Sequence, residues 1–406
     1  MIKITDKTKC CGCGACTQIC PNSAITMQSD SEGFLYPIVD EQKCIKCGLC
    51  LKTCPILNNK KQEILPRVYA AKNKDTEVLK QSSSGGMFSI LADYVLEQNG
   101  VIFGAAFNKD WEVYHRFIDK KEDLDILRRS KYVQSNTLET FKETKKFLEQ
   151  GRQVLYTGTP CQIAGLKNFL HKDYDNLITC DLICHGTPSP GVWSKFLNEN
   201  FDLKTIKQIN FRDKEFAWNS FYLSITTILG KTINNKKIGE FYRKLWSHLY
   251  NNKIARIFFS NSFYNSFFSA FCAELLLRPS CHKCYIKQSI TADFTIGDAW
   301  GYIDYAPEMF DKNGLSVVFI NNKKAEKIFE RINENLIYRE VPFNKVIKYN
   351  PYYNTSVKAN PKREEFFQRF QKEQVSKLIE ELTYRPLWQH IFGRVKKIAN
   401  KILKFN

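Results

Sequence analysis

The sequence predicts a small α+β module at the start of the chain, joined to a larger α/β domain. The first unit is predicted from a cysteine pattern that occurs twice within 54 residues, around a stretch that reads as two short strands. The second is predicted from the residues after 66, where apolar runs of strand length alternate with amphipathic stretches. The chain has 406 residues, which is enough for two or three such units.

Composition narrows the class of protein. Apolar residues make up 43% and charged residues 25%, which is ordinary for a globular protein. No uncharged apolar run of about 18 residues occurs, and the N-terminus lacks the apolar segment of a secretory signal, so we expect a cytoplasmic protein. Lysine and arginine exceed acidic residues by 18. Because the basic residues are scattered until the C-terminus and form no recognition motif, we expect no nucleic-acid partner.

Fifteen cysteines in a cytoplasmic chain indicate metal ligands or redox groups more than disulfides. Eight of them form the pattern C-x2-C-x2-C-x3-C followed by proline, once before Pro21 and again before Pro55, 34 residues later. This resembles the bacterial two-cluster ferredoxins, in which the fourth cysteine ligates the other cluster. The resemblance implies two [4Fe–4S] clusters, one on Cys10, Cys13, Cys16 and Cys54 and the other on Cys44, Cys47, Cys50 and Cys20.

The stretch between the repeats, AITMQSDSEGFLYPIV, predicts a hairpin whose polar turn contains Gly33. Zinc is the alternative metal, but zinc ribbons use two CxxC pairs and not two doubled triplets. Cys11 completes neither ligand set, so we interpret it as a small buried side chain, with a reactive thiol as the alternative.

The remainder of the chain follows a polar linker at 56–67. SILADYVLEQNG predicts a helix ending at Gly100, and VIFGAAF predicts the next strand. QVLYTG leads into TPCQIAGLKNFL, and NLITCDLICHG leads into TPSPGVWSKFL, so both read as a strand, a tight loop and a helix. Cys161 and Cys184 follow the two strands, at the edge where open α/β sheets place their sites.

Several stretches in this region together resemble the coenzyme F420 hydrogenase/dehydrogenase beta-subunit family. They run in the family's order from about residue 66 to 320: SSSGGMFSILA, SKYVQS, YTGTPCQIAGLKNFL, DLICHGTPSP, FRDK, RPSCHKCY and ADFTIGDAWG. The resemblance implies a larger domain of the F420 dehydrogenase beta-subunit type and a flavoprotein in which FAD exchanges hydride with F420. A hydride carries two electrons and a cubane passes one, so a flavin between them would hold the intermediate state.

Two short segments, SSSGG and the strand-to-helix turn at 158–160, and two basic residues are candidates for holding the flavin. The SSSGG loop offers serine N-caps and backbone N–H groups before a helix, although the same sequence also suits a simple capped loop. Lys131 and Arg212 are candidates for binding acidic groups, with surface salt bridges as the alternative. The predicted cofactor-binding residues are Ser83, Ser84, Gly85, Gly86, Lys131, Gly158, Thr159, Pro160 and Arg212; no catalytic residue is assigned.

A third metal site is predicted from Cys161, Cys184, Cys281 and Cys284. The CxxC of CHKC can supply two ligands from one loop, and the two strand-end cysteines can supply the others if their strands are neighbours. The family resemblance favours a third [4Fe–4S] cluster, with zinc and no metal as alternatives. Cys180 and Cys272 are predicted core residues. His185 and His282 adjoin the proposed ligands, where local hydrogen bonding competes with cluster tuning or proton relay.

Four domains are expected: 1–58 for the ferredoxin module, 66–148 and 149–362 for the two beta-subunit regions, and 363–406 for a basic tail. From Leu387 the apolar residues recur at steps of three and four, opposite lysines and arginines. A helix docked on a protein and peripheral contact with an anionic membrane both suit this pattern.

The leading hypothesis is an iron–sulfur flavoprotein oxidoreductase that exchanges electrons with F420. NAD(P)H or reduced ferredoxin are alternative carriers, although no GxGxxG follows a strand. Two other functions stay open: a flavin-dependent reductase of a sugar or cell-envelope precursor, and a non-catalytic relay between partner proteins.

Overall fold

The computed structural model describes residues 1–59, 65–215, 217–219, 221–228, 266–287, 289 and 292–383. The amphipathic stretch from Leu387, and with it the predicted membrane contact, lies outside these residues. In the described part of the chain no helix is long and apolar enough to cross a bilayer.

The front module consists of a hairpin and two short helices. Strands β1 (Ile25–Ser29) and β2 (Leu35–Val39) are antiparallel, which confirms the predicted hairpin. At its turn, Asp30 Oδ1 accepts hydrogen bonds from two backbone amides, and Gly33 takes a left-handed φ of 78°. Helices α1 (Ala15–Gln18) and α2 (Leu49–Thr53) each contain the third cysteine of a pattern and so carry ligand candidates.

The described residues of the larger domain contain ten further strands. They are β3 (Arg67–Asn73), β4 (Val101–Phe107), β5 (Val113–Ile118), β6 (Val154–Thr157), β7 (Leu177–Leu182), β8 (Ile206–Asp213), β9 (Tyr222–Thr227), β10 (Phe294–Asp298), β11 (Ser316–Ile320) and β12 (Leu336–Glu340). Eight of them form one mixed sheet in the order β12-β3-β11-β10-β7-β6-β4-β5, and β8 pairs separately with β9. The predicted α/β core is therefore confirmed, with a mixed sheet.

The described helices of this domain cover the sheet or extend from it. They are α3 (Thr76–Gln81), α4 (Met87–Leu96), α5 (Leu124–Leu127), α6 (Thr140–Glu149), α7 (Pro160–Leu170), α8 (Pro190–Asn200), α9 (Ser266–Cys272), α10 (Lys323–Ile332), α11 (Phe343–Tyr349), α12 (Arg363–Arg369) and α13 (Val375–Thr383). The helix predicted to end at Gly100 ends at Leu96, because a turn intervenes in which the Gly100 amide donates to Val95 O.

The centre of the sheet is parallel. β4 pairs with β6, β6 with β7 and β7 with β10, all in the same direction, and α7 and α8 follow β6 and β7 as predicted. Leu155, Ile178 and Phe294 on these strands are fully buried, as expected for strands covered on both faces. The carboxyl ends of β6 and β7 therefore lie side by side.

Helices α12 and α13 belong to the core of the larger domain. Phe366, Phe370 and Leu378 lie in the same buried cluster as Phe34 of the front module and Trp193 of α8. The first part of the expected tail, Arg363–Thr383, is thus packed against the rest of the protein.

The front module docks on α8 through two glycines. The Gly191 amide donates to Gly33 O, and a methyl group at Gly191 would lie 2.6 Å from Gly33 Cα. Nearby, Ser189 Oγ donates to Glu32 O at 2.6 Å. Backbone is packed directly on backbone here, which leaves no space for a side chain.

We expect Gly191→Ala to push the hairpin away from α8 and to cost about 1–3 kcal/mol, as overpacking generally does. The measurement is the midpoint of thermal unfolding of the intact protein. Asn198→Ala, at an exposed position of the same helix, is the control and should change stability by less than about 0.5 kcal/mol. Equal midpoints for the two variants would contradict the close approach.

Candidate redox site

Cys10, Cys13, Cys16 and Cys54, here called the proximal set, come together at the start of α1 and the end of α2. The first three are at most 9% exposed. Burial, followed by repulsion from Cys10, Cys54 and Cys50, raises the pKa of the Cys16 thiol to about 12. Thiols that raise one another's pKa in this way are near neighbours, so the arrangement suits a ligand that requires several thiolates at once.

Cys20, Cys44, Cys47 and Cys50, here called the outer set, line one recess of the front module together with Pro21. The Ala24 amide lies 3.3 Å from Cys20 Sγ, as a donor to a thiolate would. Cys47 is exposed, so this recess is the end of the module nearest to solvent. Cys16, Cys50 and Cys54 also share one small apolar cluster, which brings the two sets together.

Cys161, Cys184, Cys281 and Cys284, here called the sheet-edge set, also come together. Because β6 and β7 are parallel neighbours, Cys161 at the start of α7 and Cys184 after β7 lie at one edge of the sheet. The 3-10 turn Pro279–Lys283 brings Cys281 to the same place. Burial raises the pKa of Cys184, Lys287 opposes the shift, and Cys281, Cys161 and Cys284 add to it.

The sheet-edge sulfurs have polar contacts that suit thiolates. Thr159 Oγ1 lies 3.2 Å from Cys161 Sγ, and the Thr187 amide lies 3.5 Å from Cys281 Sγ. Hydrogen bonds to sulfur are a principal control on cluster potentials. In the described part of the chain no three His, Cys, Asp or Glu side chains are grouped to hold one metal ion.

Cys11 joins the proximal and sheet-edge sets. The thiol of Cys13 raises the pKa of Cys11, the thiol of Cys161 lowers it and burial adds to the rise, so Cys11 lies near a cysteine of each set. The sequence indicated only a small side chain beside a cluster. Its place between two ligand sets depends on a contact between positions 150 residues apart, for which the local spacing carries no signal.

The serine-rich loop differs from the prediction in one respect. The N-cap of α4 is Gly86, at a φ of 80° and with no side-chain cap, so the expected serine N-cap is wrong. Ser83 Oγ accepts from the Ser130 amide, and Ser84 Oγ donates to Leu315 O. The Gly85 amide donates to Ser316 Oγ. The serines therefore hold the loop in place and leave the first turn of α4 uncapped.

Lys131 lies next to that loop, since its neighbour Ser130 contacts Ser83. Its Nζ donates to the carbonyl oxygen of Arg128 at 2.8 Å. Burial, with a further contribution from Arg129, lowers the pKa of Lys131 to about 7.

Lys214 is a second partly buried lysine in this region. Its Nζ donates to Leu79 O at 2.8 Å, and its pKa is lowered to about 8 by burial and then by Arg212. Among the described residues neither Lys131 nor Lys214 has a carboxylate at hydrogen-bond distance. Two partly buried ammonium groups without a paired carboxylate suit an anionic ligand.

Arg212 is not the surface salt bridge considered as the alternative. It is 4% exposed, and its Nη1 lies 2.5 Å from Asp298 Oδ2 while Nη2 donates to Trp218 O. Its charge is thus already balanced inside the protein. This leaves Arg212 less able than Lys131 to hold an acidic group of a ligand.

The turn Gly158–Thr159–Pro160 uses its own amides. The Gly158 amide donates to Cys180 O, and the Thr159 amide donates to Gln162 Oε1 within a capping box. Proline has no amide hydrogen, so the turn offers a cofactor close backbone and not free donors. The turn fixes how α7 follows β6, and so fixes the position of Cys161 at the start of that helix.

Of the remaining predictions for this region, one is confirmed and one is wrong. Cys180 is buried on β7, which confirms it as a core residue. Cys272 is exposed at the last residue of α9, so its prediction as core was wrong. His185 Nε2 bonds Glu274 at 2.8 Å, and His282 Nδ1 lies 3.4 Å from Val357 O. Both histidines thus have local hydrogen bonds.

Three family models match the chain. Two describe the coenzyme F420 hydrogenase/dehydrogenase beta subunit: the model of its C-terminal part covers residues 151–345, and the model of its N-terminal part covers 68–142. A 4Fe-4S dicluster domain covers residues 9–57. The two beta-subunit models together span about two thirds of the chain.

Two known proteins of similar sequence agree with these family models. The chain is 30% identical over 195 residues to a coenzyme F420-dependent sulfite reductase of Methanocaldococcus jannaschii, covering 46% of this chain and 29% of that protein. It is 21% identical to a subunit of the F(420)H(2) dehydrogenase of Methanosarcina mazei, covering 82% of this chain and 85% of that protein. The chain therefore spans less than a third of the reductase and most of the dehydrogenase subunit.

A chain of the F420-reducing [NiFe] hydrogenase complex from Methanosarcina barkeri overlaps 79% of this chain and 94% of its own, at 18% identity and a TM-score of 0.43. A TM-score that low carries no weight for fold or function. The sulfite reductase and the dehydrogenase subunit are both oxidoreductase proteins. The models of the N-terminal and C-terminal parts of the beta subunit match this chain in that order. The chain belongs to the coenzyme F420 hydrogenase/dehydrogenase beta-subunit family, and carries a 4Fe–4S dicluster domain in front of it.

Proposed function

We propose that this protein transfers electrons between F420 and a partner protein or substrate, through FAD in the larger domain and [4Fe–4S] clusters on its cysteine sets. The observation that carries the proposal is the contact of Cys13 with α7, where a methyl group at Gly165, about one turn after Cys161, would lie 3.0 Å from Cys13 Sγ. Through it, the cysteines of the dicluster module reach those at the edge of the α/β sheet. Adjacent cofactor sites are what an electron path requires.

The separate roles of the flavin and the clusters follow from the number of electrons that each one carries. F420 exchanges a hydride, which is two electrons, whereas each cluster passes one. FAD, when bound, supplies the chemistry that connects the two. The chain's own residues would hold it: the loop Ser83–Gly86 approaches with backbone and the uncapped start of α4, and Lys131 and Lys214 supply positive charge.

The clusters would be held by twelve thiolates in three sets of four. Three of the four proximal cysteines are buried. Cys16 neighbours Cys50 of the outer set, and Cys13 neighbours Cys11, which neighbours Cys161 of the sheet-edge set, so the proximal set would lie between the other two. The outer set is nearest to solvent at Cys47. We therefore assign the outer set to electron exchange with a partner protein and the sheet-edge set to the end nearest the flavin.

We expect the protein purified without oxygen to contain about 12 iron atoms per chain, as three four-iron clusters require, and a flavin whose absorbance is bleached by F420H2. The measurements are iron and sulfide analysis and an anaerobic flavin spectrum. About 8 iron atoms and no flavin would instead support a non-catalytic relay. A flavin that is bleached by NAD(P)H and not by F420H2 would overturn the assigned carrier.

We expect Cys281→Ala to lower the iron content by about four atoms, since it removes one thiolate of the sheet-edge set. Flavin reduction should then no longer reach the clusters of the front module. Cys272→Ala is the matched control, because Cys272 is an exposed cysteine outside all three sets. Unchanged iron in Cys281→Ala would reject this cluster.

The partly buried Lys131 gives flavin binding a pH dependence. Its pKa of about 7 in the free protein means that its charge is lost as the pH rises above 7. A bound phosphate favours the charged ammonium and raises that pKa, so FAD affinity should fall above pH 7 by at most about tenfold per pH unit.

The measurement is the FAD dissociation constant of the apo-flavin protein between pH 6 and 9. Lys131→Met should bind FAD more weakly at pH 6 and show a flatter profile. Lys142→Met, at an exposed lysine paired with Glu139, should keep the wild-type profile. Identical profiles for wild type and Lys131→Met would show that Lys131 does not contact the cofactor.

A further inference from the structure

Arg278 is a fully buried cation that has no role in the proposed electron path so far. It is 0% exposed, and it lies where the front module meets the larger domain. Nε donates to Cys10 O at 2.7 Å and Nη2 to Leu35 O at 2.9 Å, while Nη1 donates to Gln134 Oε1 at 2.9 Å. Nη2 also points at Cys10 Sγ, 3.6 Å away.

All of these hydrogen-bond acceptors are uncharged groups or cysteine sulfur. Among the described residues, no carboxylate forms an ion pair with Arg278. An isolated buried charge is strongly unfavourable, so buried arginines generally have an anion nearby. A [4Fe–4S]2+ core held by four thiolates carries a net charge of about minus two. A cluster held by the proximal set would place that negative charge beside Arg278, through Cys10 Sγ.

Gly12 and the ring of Tyr36 form the space that the Arg278 guanidinium occupies. Gly12, between Cys11 and Cys13, has a left-handed φ of 69°, and a methyl group there would lie 2.8 Å from Arg278 Nη1. The guanidinium also lies 4.1 Å from the centre of the Tyr36 ring. Glycine in the ligand loop and an aromatic face beneath the cation therefore leave Arg278 one position, beside Cys10.

Arg278 is close to the sheet-edge set as well. Its own carbonyl oxygen accepts from the Cys281 amide at 2.9 Å. Burial opposes the charge of Arg278, but Cys10, Tyr36, Cys11 and Cys281 together raise the pKa of its guanidinium. A single positive charge thus faces one cysteine set directly and adjoins a second.

We propose that Arg278 is a positioning residue that raises the reduction potential of the cluster on the proximal set. This inference rests on the proposed function only in requiring a cluster on Cys10. Reduction changes the net charge of such a cluster from about minus two to minus three, and a fixed cation stabilises the more negative state more strongly. The electron is thereby held at the boundary between the front module and the sheet edge.

A second arginine provides the contrast. Arg363 also joins the front module to the larger domain, with Nη2 2.5 Å from Glu32 Oε2 and Nε donating to Leu277 O at 2.8 Å. Its charge is cancelled by Glu32. Arg363 therefore fastens the module as Arg278 does, but without an unbalanced charge beside a cysteine set.

The test is an anaerobic redox titration of the full, iron-loaded chain, followed by electron paramagnetic resonance. Arg278→Gln should make the proximal cluster at least tenfold harder to reduce, which is a fall of about 59 mV for one electron. The cluster of the outer set is the internal reference and should keep its potential. Arg363→Gln should leave both potentials unchanged.

Gln134→Glu is the second variant, because it places a carboxylate beside Nη1 and cancels the charge of Arg278 without removing the guanidinium. It should lower the same potential and decides the test if Arg278→Gln does not bind iron. Unchanged potentials in the loaded variants would overturn the proposal, as would an equal fall for both clusters. Loss of iron from both variants but not from Arg363→Gln would overturn it too, and would make Arg278 a structural brace.

Failure of this inference can be told from failure of the proposed function. The potentials are read without F420 or flavin turnover, so a shift in Arg278→Gln stands even if F420H2 does not reduce the protein. Conversely, F420H2-dependent reduction with unshifted potentials would leave the proposed function intact and remove the role of Arg278.

Discussion

The contact of the Cys10–Cys16 loop with the start of α7 is the constraint on which the rest of the site depends. A methyl group at Gly165, in the second turn of the helix, would lie 3.0 Å from Cys13 Sγ, so the Cys13 side chain packs directly on the helix backbone. This approach puts Cys11 against Cys161. If the module sat one side chain farther away, its cysteines would form a separate ferredoxin with no connection to the sheet edge.

Several independent contacts hold the module in that position. Gly33 packs on Gly191, Glu32 pairs with Arg363, and Arg278 reaches Cys10 and Leu35. They differ in chemistry, because one depends on the absence of side chains, one on a balanced ion pair and one on an unbalanced buried charge. Of these three contacts, that of Arg278 places a net charge beside the proposed ligand Cys10. The same side chain therefore holds the module in place and acts on the electrostatics of the site.

The region proposed for the flavin is held together by different forces. The Ser83 and Ser84 hydroxyl groups fasten the loop to Ser130 and to the residue before β11, and Arg212 is neutralised by Asp298. What is left for a ligand is the uncapped start of α4 and two lysines whose pKa values are lowered by burial. An anion at this place would restore the charged state of both lysines, which is a physical reason to expect a phosphate-bearing cofactor.

The sequence by itself determined what depends on neighbours along the chain: the two ligand loops, the hairpin between them, and the strand–turn–helix units that carry Cys161 and Cys184. In these, spacing and local hydrogen bonding decide the outcome within a few residues. The prediction from sequence was wrong where a helix cap or the exposure of a side chain depends on distant packing, as at Gly86 and Cys272. Only the tertiary structure decided that Arg278 lies on Cys10, 268 residues away. A buried charge is positioned by the surfaces that close around it, and those surfaces come from separate parts of the chain.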